Sequence, residues 1–131
     1  MIKSFKPEKY NSVSPYLVVK GAQKMIDLLK KIFPVKELRR FDNPDGTIMH
    51  AEIMVDDSVI MVADSTGDYP PNKTLLHVYV QDVDKTFMNA VEAGCEIIEA
   101  PVRKEHDPDK RGQFKDFSGN TWAVGTQINE S

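Results

Sequence analysis

Apolar and polar positions along this chain follow one pattern, written twice. Pro15-Tyr16-Leu17-Val18-Val19 is a short β-rich run. After it, Ala22, Met25, Ile26, Leu28, Leu29, Ile32 and Phe33 recur at helical spacing and make one apolar stripe. Pro34 ends that helix, because proline disfavours helical geometry in the residue before it. Val35 to Phe41 reads as a strand, Asn43-Pro44-Asp45-Gly46 as a turn, Ile48 to Val55 as an alternating strand and Val59 to Ala63 as another. The segment Ser65 to Lys73 holds Gly67, Pro70 and Pro71 and reads as a linker. Then the order restarts. Leu75 to Val80 is a strand, and Val83, Phe87, Met88, Ala90, Val91 and Gly94 form a second helical stripe. Glu96 to Ala100 is a strand closed by Pro101, Phe114 to Phe117 another, and Thr121 to Thr126 the last.

The two halves superpose. Tyr16 to Lys20 aligns with His77 to Gln81 at an offset of 61 residues, which also puts Lys24 on Lys85. The closing hairpins align at an offset of 62, with Ser58 on Asn120 and Val62 on Val124. An offset that drifts by one residue across a whole module argues duplication. The predicted fold class is α+β. Two tandem βαβββ modules, about 13–64 and about 74–127 with a 65–73 linker, form a curved, cup-like mixed sheet with the helices outside. One face of each sheet packs on its helix, and the free faces would line a concavity suited to a ligand.

Bulk properties narrow the function classes. The chain has 131 residues, 40% of them apolar and 28% charged, which suits one globular domain. Net charge is −3 with interspersed signs, so no nucleic-acid partner is expected. No window approaches a membrane span, and the polar segment from Met1 to Asn11 lacks the apolar core of a signal peptide. The expected location is the cytoplasm, with no membrane partner. The single cysteine, Cys95, excludes an intrachain disulfide and reads as a small half-buried hydrophobe.

The residues quoted next resemble a known family. They are Ser14 to Val19, Pro44 to Ile53 (Pro-Asp-Gly-Thr-Ile-Met-His-Ala-Glu-Ile), Leu76 to Val80 with Asp82-Val83-Asp84, Glu92-Ala93-Gly94, and Lys110 to Trp122. Together they are similar to the vicinal-oxygen-chelate superfamily of glyoxalases, bleomycin- and fosfomycin-resistance proteins and extradiol dioxygenases, nearest to its PhnB-like branch. The resemblance implies a divalent metal held by His, Gln and Glu from the first and last strands of each module. Here His77 matches the histidine position. Its counterpart in the first module falls near Tyr16, the glutamate position falls on Ala123, and Val59 to Ala63 is wholly apolar. One ligand type in four positions does not hold a catalytic metal, which takes three protein ligands. Asp116-Phe117-Ser118-Gly119-Asn120 also departs from the branch's usual Asp-Pro-Phe-Gly-His. No cofactor is expected.

Several residues are candidates for ligand contact: Tyr16, His50, Glu52, His77, Tyr79, Trp122 and Arg111. On a strand His50 and Glu52 point one way, while Met49, Ala51 and Ile53 point to the helix-packed core. A histidine beside a carboxylate suits ligand anchoring or proton transfer, and equally an inert polar contact. His77 and Tyr79 share a face. Trp122 is either a pocket wall or core. Arg111 lies in the charged stretch from Arg103 to Arg111, read as a solvated loop, where it would meet an anionic ligand or make a surface ion pair; His106 there is a loop residue. Two functional readings remain. The first is a binding protein for a small organic ligand, with no complete metal site. The second is a metal-dependent lyase, transferase or dioxygenase with an unconventional site from His50, His77 and Glu52. Whether the chain is an enzyme is left open. A homodimer is expected, because open four-stranded sheets leave edges to cover, two-fold pairing is the commonest solution, and similar proteins pair in this way.

Overall fold

The computed structural model describes residues 4–129, so the first three residues of the polar N-terminal segment lie outside it. The described residues divide into two compact units, on either side of the Asn72–Lys73 bond. The first unit holds β1 (Tyr16–Val19), α1 (Ala22–Ile32), β2 (Val35–Asp42), β3 (Ile48–Val55) and β4 (Ser58–Asp64). The second holds β5 (Leu75–Tyr79), α2 (Val83–Glu92), β6 (Glu96–Arg103), β7 (Asp109–Lys115) and β8 (Thr121–Gln127). Each unit is a βαβββ module. The sheet orders are β1-β4-β3-β2 and β5-β8-β7-β6, with the first strand parallel to the last and the remaining pairs antiparallel. No described helix is long and apolar enough to cross a membrane.

The predicted helical stripes become the cores. In α1, Ala22, Met25, Ile26, Leu28, Leu29 and Ile32 are buried, and the helix stops at Phe33, whose extended backbone precedes Pro34. Their sheet partners are Leu17, Val19, Ala51, Ile53, Ile60 and Val62, all buried. Each fully buried Val, Leu, Ile or Met among them stabilises by roughly 1.5–3 kcal/mol. The helix starts at Gly21, whose φ of 97° suits only glycine. With no side-chain cap of its own, α1 borrows one: Asp64 Oδ1 accepts from the amides of Gly21 and Ala22. In the second unit Thr126 Oγ1 accepts from Val83 N at the start of α2. Asp64 and Thr126 are 62 residues apart, so the duplication extends to the helix caps.

Three features differ from the sequence expectations. Met49 is 55% exposed rather than part of the core. Phe41 pairs with His50 and Asp42 with Ile48, which leaves Met49 as an extra residue in β3. Such a bulge flips the side-chain alternation, and Ile48 takes the inward place instead. Second, Pro101 does not close β6, which runs on to Arg103. An edge strand with bulged register, here between Glu99 and Val102, tolerates a proline because its missing N–H leaves no ladder bond broken. Third, the charged stretch 103–111 is not one solvated loop. Its last three residues open β7, and only a short turn around His106, with φ 69°, separates the strands.

The linker is anchored. Asn72 accepts from Val18 N through Oδ1, donates to the Tyr16 carbonyl through Nδ2, and donates its own amide to the Val18 carbonyl. The outer edge of β1 is thereby covered rather than left open.

Candidate functional site

Residues directly paired across strands share a face, so register decides which side chains meet. In the first unit Tyr16 pairs with Met61, and Met61 with Glu52. This row lies on the face opposite α1, as does His50, two residues before Glu52. Tyr16 Oη is 2.8 Å from His50 Nδ1, and His50 Nε2 is 2.8 Å from Glu52 Oε2. The other carboxylate oxygen, Oε1, accepts a hydrogen bond from the Tyr10 hydroxyl. Tyr10 comes from the N-terminal arm, and the Arg39 guanidinium lies 5.6 Å from its ring centre.

The protons in this chain can be placed. Burial raises the Glu52 pKa, but the bonds from Tyr10 and His50, together with electrostatic attraction from His50 and Arg39, outweigh it and hold the carboxyl below its ordinary value. An ionised carboxylate only accepts, so His50 Nε2 carries hydrogen and donates to it. In the tautomer with hydrogen on Nε2 alone, Nδ1 is the lone-pair nitrogen and accepts from Tyr16. Burial, then the charge of Glu52, raises the phenol pKa of Tyr16. The result is a hydroxyl–imidazole–carboxylate chain. Glu52 is 6% exposed, whereas Tyr16 is 39% exposed, so the chain leads from a covered carboxylate to an open phenol.

The second unit builds a different cluster at the same places. His77 stands 61 residues after Tyr16, and Arg111 stands 61 after His50. Val102 pairs with Arg111 just as Phe41 pairs with His50. Arg111 Nη1 donates to His77 Nε2 at 2.5 Å, Nη2 donates to Asp109 Oδ2 at 2.5 Å, and Nε donates to Asp107 Oδ2 at 3.1 Å. Tyr79 donates to Asp109 Oδ2 at 2.6 Å. Arg111 and Tyr79 lie either side of Gly125 in the ladder. A Cβ at Gly125 would sit in ordinary contact, 3.4 Å from His77 Nε2 and 3.5 Å from Arg111 Cγ, so this glycine borders the cluster. His77 and Tyr79 meet edge to face, with ring centres 4.7 Å apart.

A guanidinium has no acceptor, so His77 Nε2 must be the lone-pair nitrogen and Nδ1 carries the hydrogen. Burial, and then the charge of Arg111, hold the His77 pKa below 6.5. His77 is therefore a neutral acceptor. Arg111 meets three partners of its own chain and is not a free anion receptor. Trp122 lies on the opposite face, fully buried between Leu76 and Phe114 in the ladder, and its Nε1 donates to Asp116 Oδ2 at 2.9 Å. It serves the core rather than a ligand surface. Cys95 is buried too, and burial pushes its thiol up to about 11, which leaves it inert.

The family profile of the glyoxalase/bleomycin resistance protein/dioxygenase superfamily matches residues 9–124. The chain belongs to that superfamily. Relatives include an uncharacterized protein of Mycobacterium bovis, 29% identical over 91% of this chain and 85% of its own length. Among solved structures, TioX from Micromonospora sp. ML1 superposes with a TM-score of 0.70, at 22% identity, over 88% of this chain and 99% of that one. TnmS3, an antibiotic binding protein from Streptomyces sp. CB03234, superposes with a TM-score of 0.67, at 17% identity, over 90% and 99%. At such identities the structural likeness speaks for the fold.

The superfamily implies a divalent metal, and the residues present do not fit one. The positions that would carry ligands are Tyr16 with Met61 and His77 with Ala123, each pair adjacent in the ladder. Of these only His77 is a ligand type, and its lone pair already accepts from a guanidinium whose positive charge opposes a cation. Among the described residues, no group of three or more His, Cys, Asp and Glu is arranged to hold a metal ion.

Proposed function

We propose that this protein binds a small organic ligand without a metal, that it is a binding protein as TnmS3 is described to be for an antibiotic, and that it sits in the PhnB-like branch and works in the cytoplasm. The observation that carries this reading is the commitment of His77. The one imidazole at a ligand position accepts from Arg111, and the equivalent places hold a phenol, a thioether and a methyl group. What the helix-free faces offer instead is aromatic surface with polar anchors. Tyr16, Phe41 and Tyr79 are 39%, 52% and 59% exposed, and each lies beside a histidine or a hydrogen-bonded carboxylate. Such surfaces recognise planar organic molecules through ring contacts and a few directed bonds.

A thermal-shift screen of planar organic compounds on untagged protein tests the reading. Ligands that bind only the native state raise the midpoint, by an amount that grows with the logarithm of their concentration above Kd. Hits whose midpoints are unaffected by a chelator are expected. A blank screen, or one stoichiometric Zn, Ni, Mn or Fe per chain by metal analysis, would overturn it. We also propose that the protein is a homodimer, and light scattering checks this against the 14.8 kDa of one chain.

A further inference from the structure

The N-terminal arm is fastened to the first unit mainly through one side chain, and that side chain has the form of a ligand. Among the described residues of the arm, 4–13, the large apolar side chains other than Tyr10 are open: Phe5 is 88% exposed and Val13 82%. Two hydrogen bonds join the arm to the sheet. The Tyr10 hydroxyl donates to Glu52 Oε1, and Asn11 Oδ1 accepts from Val59 N at 3.3 Å, beyond the usual length of such a bond. Lys9, just before Tyr10, is held at φ 71°, in the left-handed region that a lysine rarely enters. Local preference does not set that conformation; the contacts of Tyr10 do. An arm with one good anchor, little buried apolar surface and a strained residue beside the anchor opens easily. We propose that Tyr10 holds the place of a ligand: the arm is a displaceable strap, and the uncharged hydroxyl of a small phenolic molecule takes over Glu52 Oε1, with its ring beside Arg39.

The ligand class follows from what Tyr10 meets. His50 already donates to Oε2, so Oε1 is the oxygen that Tyr10 occupies, and a carboxylate oxygen takes only a donor. An anionic ligand would set like charges together there. An ammonium donates, but the Arg39 guanidinium, 5.6 Å from the Tyr10 ring centre, opposes a second cation and favours the face of an aromatic ring. Arg39 lies in the register shift of β2 between Glu37 and Arg40, outside the regular ladder. An uncharged aromatic hydroxyl satisfies both neighbours, and Tyr10 is one. With Tyr10 in place, Glu52 is only 6% exposed although it lies on the face without a helix. On the same face the rings of Tyr16 and Phe41 lie 5.5 Å and 6.4 Å from that of His50, which offers a two-ring ligand more aromatic surface than Tyr10 uses.

This inference rests on the small-molecule reading and names a ligand class for it. The probe is 2-naphthol, uncharged at pH 7.5, titrated by fluorescence into the full chain and into its Tyr10→Ala variant. A tethered Tyr10 competes with the probe, so its removal should tighten naphthol binding about tenfold. 2-Methoxynaphthalene, which has no hydrogen to donate, should bind Tyr10→Ala at least about tenfold more weakly than naphthol does. A second measurement needs no variant to fold. Saturating naphthol should speed tryptic cleavage of the Lys9–Tyr10 bond in the wild-type chain severalfold, because a lifted strap is a better substrate than a fastened one. Equal naphthol affinity in the two chains would overturn the proposal, as would equal affinity for the methoxy compound, a cleavage rate that naphthol leaves unchanged, or no naphthol binding to either chain. Failure with naphthol while the wider screen finds other ligands would leave the small-molecule reading standing.

Discussion

The two units place a pair of polar side chains at the same two ladder positions and fill them with opposite chemistry. In the first unit, Tyr16 and His50 form a bond that either partner can donate. In the second, His77 and Arg111 form one that only the guanidinium can donate. The carboxylates behind them differ likewise. Glu52 anchors an imidazole, whereas Asp109, 2% exposed, is tied to a guanidinium. A duplicated scaffold thus keeps its strand order, down to the helix caps at Asp64 and Thr126, while the polar chemistry it carries differs between the copies. The difference lies in the side chains at these two positions and in where the carboxylate sits, at Glu52 in one unit and at Asp109 in the other.

The largest expected effect comes from breaking the fixed cluster. Arg111→Met leaves the Asp109 carboxylate buried without its cation, and should cost about 3 kcal/mol in urea unfolding. Adding Asp109→Asn removes the stranded charge and should recover part of that loss. A cost below about 1 kcal/mol would show that Asp109 is solvated. In the first unit Glu52→Gln should cost about 1–2 kcal/mol, because an amide cannot accept from both Tyr10 and His50 without its own N–H facing one of those donors.

The pH dependence sharpens the contrast. The folded pKa of Glu52 lies below its unfolded value, so its stabilisation is present above the unfolded value and is lost as pH falls through the folded one. Glu52→Gln should flatten that acid limb. His77 also has a folded pKa below its unfolded one, so the unfolded chain gains a proton first on acidification. Stability should therefore decline as pH drops below about 6.5, and His77→Gln, which keeps an acceptor for Arg111, should remove that decline. Unfolding midpoints between pH 5 and 7.5 check this, and unchanged slopes would contradict it. The smallest effect is expected from Tyr16→Phe, which should change stability by less than about 0.5 kcal/mol because the phenol is exposed.

Much of this was legible in the chain. The stripes from Ala22 to Ile32 and from Val83 to Ala90 fixed both helices, and the 61-residue offset disclosed the duplication. That offset carries His50 onto Arg111, and so signals the second cluster, but only once Arg111 is on a strand. The charged run 103–111 hid β7, because Asp and Lys are poor strand formers and burial of Asp109 depends on a partner that only register supplies. Tyr10 was invisible for another reason. It is an aromatic in a polar arm, joined to Glu52 across 42 residues with no periodic signal. The bulge at Met49 defeated the alternation argument for that one residue, while the placement of Ala51, Glu52 and Ile53 survived it.

The most direct test of the contrast is the protonation of individual ring nitrogens, read by long-range proton–nitrogen NMR on uniformly labelled, untagged protein at pH 7.5. The account predicts that His50 carries its hydrogen on Nε2 and that His77 carries its hydrogen on Nδ1, with the bare His77 Nε2 unmoved by one equivalent of zinc. The same tautomer at both residues, or a His77 Nε2 resonance that shifts stoichiometrically with zinc, would contradict it.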